Sequence, residues 1–217
     1  MMVHAKDADG LIAGLTMSYP ETIRPSLQIH HTLPHISRAA GIYLLLFEDR
    51  MIFIGDTTVN QDPNAAQLAE IAWMAGHIAQ HYFETTPRIA MLSYSNFGSN
   101  LDERSSKVRE AVHIARERWP ELIIEGEMQA DSAVDVTIAR EAFPLSKIQG
   151  DANVLVCPDL ESANIVYKLL WRLGKVEAIG LILTGIGAPV HVLQLGVEVT
   201  DIVNMAAMCV LKAQRHR

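Results

Sequence analysis

Apolar residues along this chain fall into two patterns: short unbroken runs, and stretches that repeat every three or four positions. Unbroken runs between turn-forming residues read as strands buried on both faces, and the longer repeats read as helices with one apolar stripe. Residues 42–47 and 51–54, separated by Glu48-Asp49-Arg50, predict a hairpin. Asp62-Pro63 then offers a cap and a first-turn proline, and Leu68, Ile71, Ala72, Ala75, Ile78, Ala79 and Tyr82 follow at helical spacing. Further on, residues 88–93 predict a strand, about 102–118 a helix, 122–124 a short strand and 134–143 a short helix. The run at 153–157 is a strand entering Pro158-Asp159, and the helix after it, about 161–173, stops at Gly174. Residues 178–184 and 189–193 predict two more strands joined by a turn-prone Gly185-Ile186-Gly187-Ala188-Pro189, and Thr200 opens a last helix reaching about residue 213.

Strand runs without alternation, separated by helices, predict an α/β fold: three layers, with a mostly parallel sheet flanked by helices. In such sheets ligands bind beyond the carboxyl ends of the strands. That directs attention to residues 93–99, to Pro158-Asp159-Leu160 and to Gly185-Ile186-Gly187.

Composition narrows the field. With 49% hydrophobic and 20% charged residues the chain is globular in type rather than disordered. The formal net charge of −7, with no basic cluster longer than Arg215-His216-Arg217, argues against a nucleic-acid partner. No apolar run approaches the ~20 residues that span a bilayer, and Met1 to Asp7 lack the apolar core of a signal peptide. A soluble, cytoplasmic protein with no membrane partner is expected. Cys157 and Cys209, far apart in apolar surroundings, read as buried thiols of a reducing compartment rather than a disulfide.

Candidate chemistry is sparse. Residues 93–99 place three serines, an asparagine and a glycine directly after a strand, a composition that can present amides and hydroxyls to an anion but that also serves ordinary capping. His77 and His81 are four apart on a helix, but Ile78 stands where a metalloprotease glutamate would, so they read as surface histidines. His30, His31 and His35 fit no ligand spacing either, and no metal site is expected. No Gly-x-Gly-x-x-Gly fingerprint follows a strand, and there is no Gly-x-Ser-x-Gly elbow. Arg24 and Asp201 are two isolated charges, for which a surface ion pair and first-turn dipole complementarity are sufficient explanations.

Longer strings go further. His4 to Gly10, Glu21 to Gln28, Met91 to Ser95, Glu125 to Asp131, Asn153 to Lys168 and Asp201 to Asn204 resemble, in order, segments of the phosphate acetyl/butyryltransferase family. Within it, Ser95 to Ser99 and Gly126-Glu127-Met128 look most like the transferase-like C-terminal domain of hybrid NADP-dependent malic enzymes. The resemblance implies two α/β domains with coenzyme A between them and dimerisation through the second. It places residues 1–35 as a remnant of the first domain, 36–182 as the second, and 183–217 as a return to the first, so that the chain begins partway through the family's full length.

Family chemistry moves an acetyl group between phosphate and the coenzyme A thiol, with an aspartate as base, a serine-arginine pair against the developing charge, and another arginine on the phosphate. Asp201 matches the base and Arg24 the phosphate arginine, whereas Gln194 and Leu195 stand at the serine-arginine pair. Leu195 offers no donor and no charge, and loss of one oxyanion donor costs roughly 10²–10³ in rate. The resemblance therefore implies a catalytically impaired domain that binds acetyl-CoA through Arg24, Ser93, Ser95 and Asn164. It would act as an allosteric regulatory module of a fused malic enzyme. The alternatives are an active phosphate acetyltransferase and a structural oligomerisation module. A homodimer or higher homo-oligomer is expected, with coenzyme A or acetyl-CoA as ligand or substrate and no covalently bound cofactor.

Overall fold

The computed structural model describes residues 1–193 and 196–215, with the backbone alone at residues 19 and 20. The chain opens with α1 (Met2–Ala5), β1 (Leu11–Gly14) and α2 (Tyr19–His30), followed by β2 (Ala40–Leu46), β3 (Met51–Gly55) and α3 (Ala65–Phe83). Next come β4 (Arg88–Leu92), α4 (Glu103–Arg118), β5 (Ile123–Met128), α5 (Ala130–Val134) and α6 (Val136–Ala142). It ends with β6 (Val154–Val156), α7 (Leu160–Gly174), β7 (Glu177–Thr184), β8 (Val190–Leu193) and α8 (Val199–Arg215). These elements form two compact units, Tyr43–Ala178 and Met1–Ile42 with Ile179–Arg217.

Six strands form a sheet in the order β5-β4-β6-β3-β2-β7. β3, β6, β4 and β5 run parallel, and β2 pairs antiparallel to β3 through the hairpin expected from the sequence. Ile52, Phe53 and Ile54 on β3, and Val154, Leu155 and Val156 on β6, are consecutive and all buried. Because neighbouring side chains of a strand point to opposite faces, such runs require cover on both sides of the sheet. The fold is thus mixed α/β, a mostly parallel sheet flanked by helices.

Helix α3 buries the predicted stripe, with Leu68, Ile71, Ala72, Ala75, Ile78 and Ala79 all inside. It approaches the sheet so closely that a Cβ on Gly76 would meet Ile89 Cδ1 at 2.8 Å. Its start is corrected from Asp62-Pro63 to Asn64. Asn64 Oδ1 accepts the Gln67 amide at 3.0 Å and Gln67 Oε1 returns the bond to the Asn64 amide, a capping box. Asp62 instead pairs with Lys107 Nζ at 2.7 Å. The end of α7 also moves: Gly174 is its last helical residue, and Lys175 takes the left-handed position (φ 52).

Other departures have comparable causes. The helix expected at 134–143 is two short helices, because Asp135 ends α5 and caps α6 by accepting the amides of Thr137 (2.8 Å) and Ile138 (3.1 Å). The strand expected at 122–124 runs on to Met128, through Glu125 and Glu127, which read as polar but are buried. At Gly126 (φ +143) a Cβ would meet the Met91 carbonyl oxygen at 2.6 Å, so only glycine fits there.

In the second unit β1 and β8 pair in parallel, Leu11 against Val190 through Gly14 against Leu193, and α2 and α8 pack on them. Neither β1 nor α2 is predicted from the sequence: β1 has four residues, and α2 carries Pro25 in its interior. Ser18 and Glu21 close a capping box that starts α2. Among the described residues no helix is long and apolar enough to cross a membrane. Cys157 and Cys209 are both free and buried.

Phe53 is fully buried on β3, between β6 and β2, with its ring edge-on to Phe83 at 5.3 Å. Phe53→Ala should cost about 3–5 kcal/mol of stability in urea denaturation. A loss under about 1 kcal/mol would mean that the surrounding core collapses into the space.

Candidate active site

Parallel order brings the segments that follow β3, β4, β5 and β6 to one end of the sheet. After β3, Asp56 (φ 36) turns the chain. Its carboxylate accepts the amides of Thr58 (3.3 Å), Val59 (3.0 Å) and Asn60 (2.8 Å), and the Asn60 side-chain amide as well. Asn164 of α7 reaches this turn, donating from Nδ2 to the Thr57 carbonyl at 3.1 Å. After β6, Asp159 caps α7 by accepting from the Ser162 amide (2.8 Å) and hydroxyl (2.7 Å). Burial, reinforced by the Asp159 carboxylate, pushes the Cys157 thiol up to about 12, which makes it a poor nucleophile.

The loop after β4 holds Ser93 and Ser95, and its hydrogen bonds decide against an open anion cradle and for internal capping. The Ser95 amide donates to Ser93 Oγ (3.3 Å) and the Asn96 amide to Ser99 Oγ (3.0 Å). The Phe97 amide donates to the Glu127 carbonyl (2.7 Å), and the Ser99 amide to the Asn96 carbonyl (2.9 Å). The Gly98 amide donates to Glu127 Oε1 (2.8 Å) and the Asn100 amide to Ser95 Oγ (3.0 Å). Every amide from Ser95 to Asn100 is therefore spent within the chain. The anion this loop holds is the carboxylate of Glu127, 0% exposed, which also takes the Ser95 hydroxyl at 2.8 Å. Ser95, expected to touch a ligand, is buried and committed to Glu127. Ser93 remains half-exposed.

A buried carboxylate needs a counter-charge. Arg109 of α4 supplies it as a fork, Nε to Oε2 and Nη2 to Oε1, both at 3.0 Å. Burial pushes the Glu127 carboxyl up, but Arg109, the Gly98 amide and the Ser95 hydroxyl together outweigh it, and the net shift is downward from 4.5. Two residues on, Gln129 and Asn96 pair reciprocally: the Gln129 amide donates to Asn96 Oδ1 (2.7 Å) and Asn96 Nδ2 to Gln129 Oε1 (3.0 Å). The sequence marks neither the Glu127–Arg109 pair nor the part that Gln129 plays beside it. The available signal was a pair of glutamates inside a segment continuing an apolar strand.

Arg24 and Asp201 both lie in the other unit. Arg24 is exposed on α2, one turn beyond Glu21, and its charge is among the influences lowering the Glu21 carboxyl, after the Ser18 hydroxyl and amide. Asp201 stands in the first turn of α8, where Oδ2 accepts the Glu198 amide at 2.8 Å. Gln194 and Leu195 lie outside the described residues. His191 on β8 and Lys212 on α8 are a further titratable pair that the sequence did not signal. Burial, then Lys212, takes the His191 ring down to about 3, and burial takes Lys212 to about 8 with Nζ donating to the Leu183 carbonyl at 3.3 Å. His77, expected at the surface, is half-buried and stacks on Trp73 (5.1 Å), which stacks on Trp119 (5.6 Å). Among the described residues no group of three or more His, Cys, Asp or Glu could hold a metal ion.

A mostly parallel sheet whose carboxyl-end loops are braced by internal carboxylates is the frame of an α/β ligand-binding domain. The chain belongs to the phosphate acetyl/butaryl transferase family, whose model matches residues 1–210. It is 42% identical over 217 residues to a phosphate acetyltransferase of Nitratidesulfovibrio vulgaris, covering 100% of this chain and 31% of that protein. To a phosphate acetyltransferase of Bacillus subtilis it is 39% identical over 213 residues, covering 98% of this chain and 66% of that one. The chain thus spans about a third of the first relative and about two thirds of the second. Among solved structures, EutD phosphotransacetylase from Staphylococcus aureus matches with a TM-score of 0.92 and 39% identity, over 98% of this chain and 65% of that one. A phosphotransacetylase from Streptococcus pyogenes matches with a TM-score of 0.93 and 41% identity, over 99% and 65%.

These relatives correct the functional expectation. They are phosphate acetyltransferases rather than malic enzymes, and they match along the whole chain. The reading of an impaired acetyl-CoA sensor fused to a malic enzyme rested on Gln194, Leu195 and a few loop residues, and it gives way to whole-chain identity near 40%.

Glu127 also sets a pH dependence. Its folded value lies below the unfolded value near 4.5, so the stability it contributes is complete above that value and is lost as pH falls through the folded one. The unfolding free energy of the wild type should fall more steeply with acidification than that of Glu127→Gln, which has nothing to protonate there. Parallel curves would show that this carboxylate has no advantage in the native state.

Proposed function

We propose that the chain carries phosphate acetyltransferase activity, moving an acetyl group between phosphate and the thiol of coenzyme A. The observation that carries this reading is identity near 40% along the whole chain to proteins of that name. In the forward sense, Asp201 takes the proton of the coenzyme A thiol and the thiolate attacks the carbonyl carbon of acetyl phosphate. The carbon–oxygen bond to phosphate then breaks, and Arg24 receives the departing phosphate. Gln194 keeps a side-chain amide donor for the oxyanion where the family places serine. Ser93 and Asn164 are the proposed polar contacts to coenzyme A, while Ser95 acts through the shape of its loop.

The test is acetyl-CoA formation from acetyl phosphate and coenzyme A. The wild type should turn over, Asp201→Asn should lose about 10²–10⁴ in kcat, and Arg24→Ala should mainly raise the KM for acetyl phosphate. A folded wild-type protein with no turnover above background would overturn the proposal.

We also propose that the chain works as a homodimer or higher homo-oligomer, supported by α7. Ile165, Leu169 and Leu173 are spaced by four on this helix, share one face and are all exposed. A stripe of that kind fits a second copy of the same helix, self-complementary across a two-fold axis. Light scattering at micromolar concentration should give at least twice the monomer mass for the wild type, and Leu169→Glu should shift it toward monomer. A monomeric wild type would remove the assembly.

A further inference from the structure

We infer that Glu127 is a positioning residue for the coenzyme A side of the reaction, holding the loop at residues 93–99 in the one shape that faces the substrate. The inference rests on the transferase reading and adds a role for a residue that does not touch the reacting atoms.

The loop would not hold this shape unaided. Phe97 adopts φ 44 and Gly98 φ 89. The left-handed region is unfavourable for a bulky aromatic, and it persists where the surroundings over-determine it. Here they do so through Glu127. Its carbonyl takes the Phe97 amide, its Oε1 takes the Gly98 amide and the Ser95 hydroxyl, and Ser95 in turn takes the Asn100 amide. Arg109 fixes the carboxylate from the other side and spends Nη2 a second time on the Asn100 carbonyl at 3.0 Å. Glutamate and arginine therefore clasp the loop at both ends of its turn.

What the clasped loop presents is aromatic rather than anion-seeking. Its amides from Ser95 onward are consumed, whereas Tyr94 is 55% exposed and Phe97 42% exposed. The Tyr94 hydroxyl is tied to Asp102, and the Phe97 ring rests on Phe143 at 5.0 Å, so both rings are held while one surface of each stays open. Rings of this sort suit the adenine and the apolar arm of coenzyme A, which offer stacking and van der Waals surface. They have nothing to offer acetyl phosphate, a small anion. Loosening the clasp should therefore harm coenzyme A and spare the other substrate.

The experiment compares wild type, Glu127→Gln and Glu127→Ala for kcat and both KM values, with hydrogen exchange at the amides of residues 95–100. Glu127→Ala should raise the KM for coenzyme A about ten- to a hundredfold, since small misplacements of positioning groups cost on that scale. The KM for acetyl phosphate should stay within about twofold, and the loop amides should exchange faster. Glu127→Gln should fall between, because its amide oxygen still accepts from Ser95 and Gly98 while the fork to Arg109 is weakened. A merely structural role would lower the active fraction and the melting temperature with both KM values unchanged, and that result would overturn the inference. So would an equal rise in both KM values. If the wild type binds coenzyme A without turning it over, the transferase reading alone falls. The calorimetric Kd for coenzyme A then replaces KM as the readout, with the same two outcomes.

Discussion

Parallel strands cannot be joined by tight turns. Each return needs a crossover of a dozen residues or more, so every strand leaves the sheet at the same end and its following loop starts there. In this chain the rule applies to β3, β6, β4 and β5, and it accounts for the company kept by Asp56, Ser93, Glu127 and Asp159. These residues stand more than thirty positions apart in sequence, and the sheet order brings them to one end. The sheet's double burial, visible in Ile52 to Ile54 and Val154 to Val156, packs the strands from both faces and so fixes where each loop starts.

The carboxyl-end loops meet their electrostatic needs internally. Asp56 takes the amides of its own turn, Asp159 caps α7, and Glu127 is matched by Arg109 and by two donors from a loop about thirty residues earlier. Glu125 likewise takes the Ser146 hydroxyl (2.5 Å) and the Lys147 amide (3.0 Å). A buried carboxylate without such partners would cost several kcal/mol or take up a proton. Because each has partners, the sheet end tolerates acidic residues close together.

Legibility in the sequence followed the range of the interaction. Helices α3 and α4 were readable because their stripes are local, and so was the β2–β3 hairpin, whose pairing partner is a few residues away. β1 was not, since its four residues gain meaning only beside Val190 to Leu193 at the far end of the chain. The loop at 93–99 is visible in sequence, with anion binding and ordinary capping both open. Its serines and glycine look like anion donors until Glu127, a distant residue, is seen to occupy them. The expectation of an impaired sensor has a related origin: Gln194, Leu195 and a few loop residues carry it, whereas identity to phosphate acetyltransferases runs along the whole chain. Arg24 and Asp201 are singled out by resemblance alone, because an exposed arginine on a helix and a first-turn aspartate are common for other reasons.

The two cysteines bear on which route an acetyl group would take. A two-step route through an acyl-enzyme requires a reactive nucleophile, and among thiols that means a populated thiolate. Cys157 is pushed to about 12 by burial, with the Asp159 carboxylate adding to the effect. Cys209 is also raised by burial, only partly countered by Lys212, and its sulfur is turned toward the Pro189 carbonyl at 3.7 Å. Neither thiol is suited to accept an acetyl group, in keeping with the proposed direct attack by the thiol of coenzyme A. Asp201 is compatible with activating it. One carboxylate oxygen is engaged by the Glu198 amide, which fixes the side chain's direction, and a carboxylate has acceptor positions beyond the one so used. In the proposed mechanism, capping α8 and serving as a base are one placement of the Asp201 side chain, and the first would supply the orientation that the second needs.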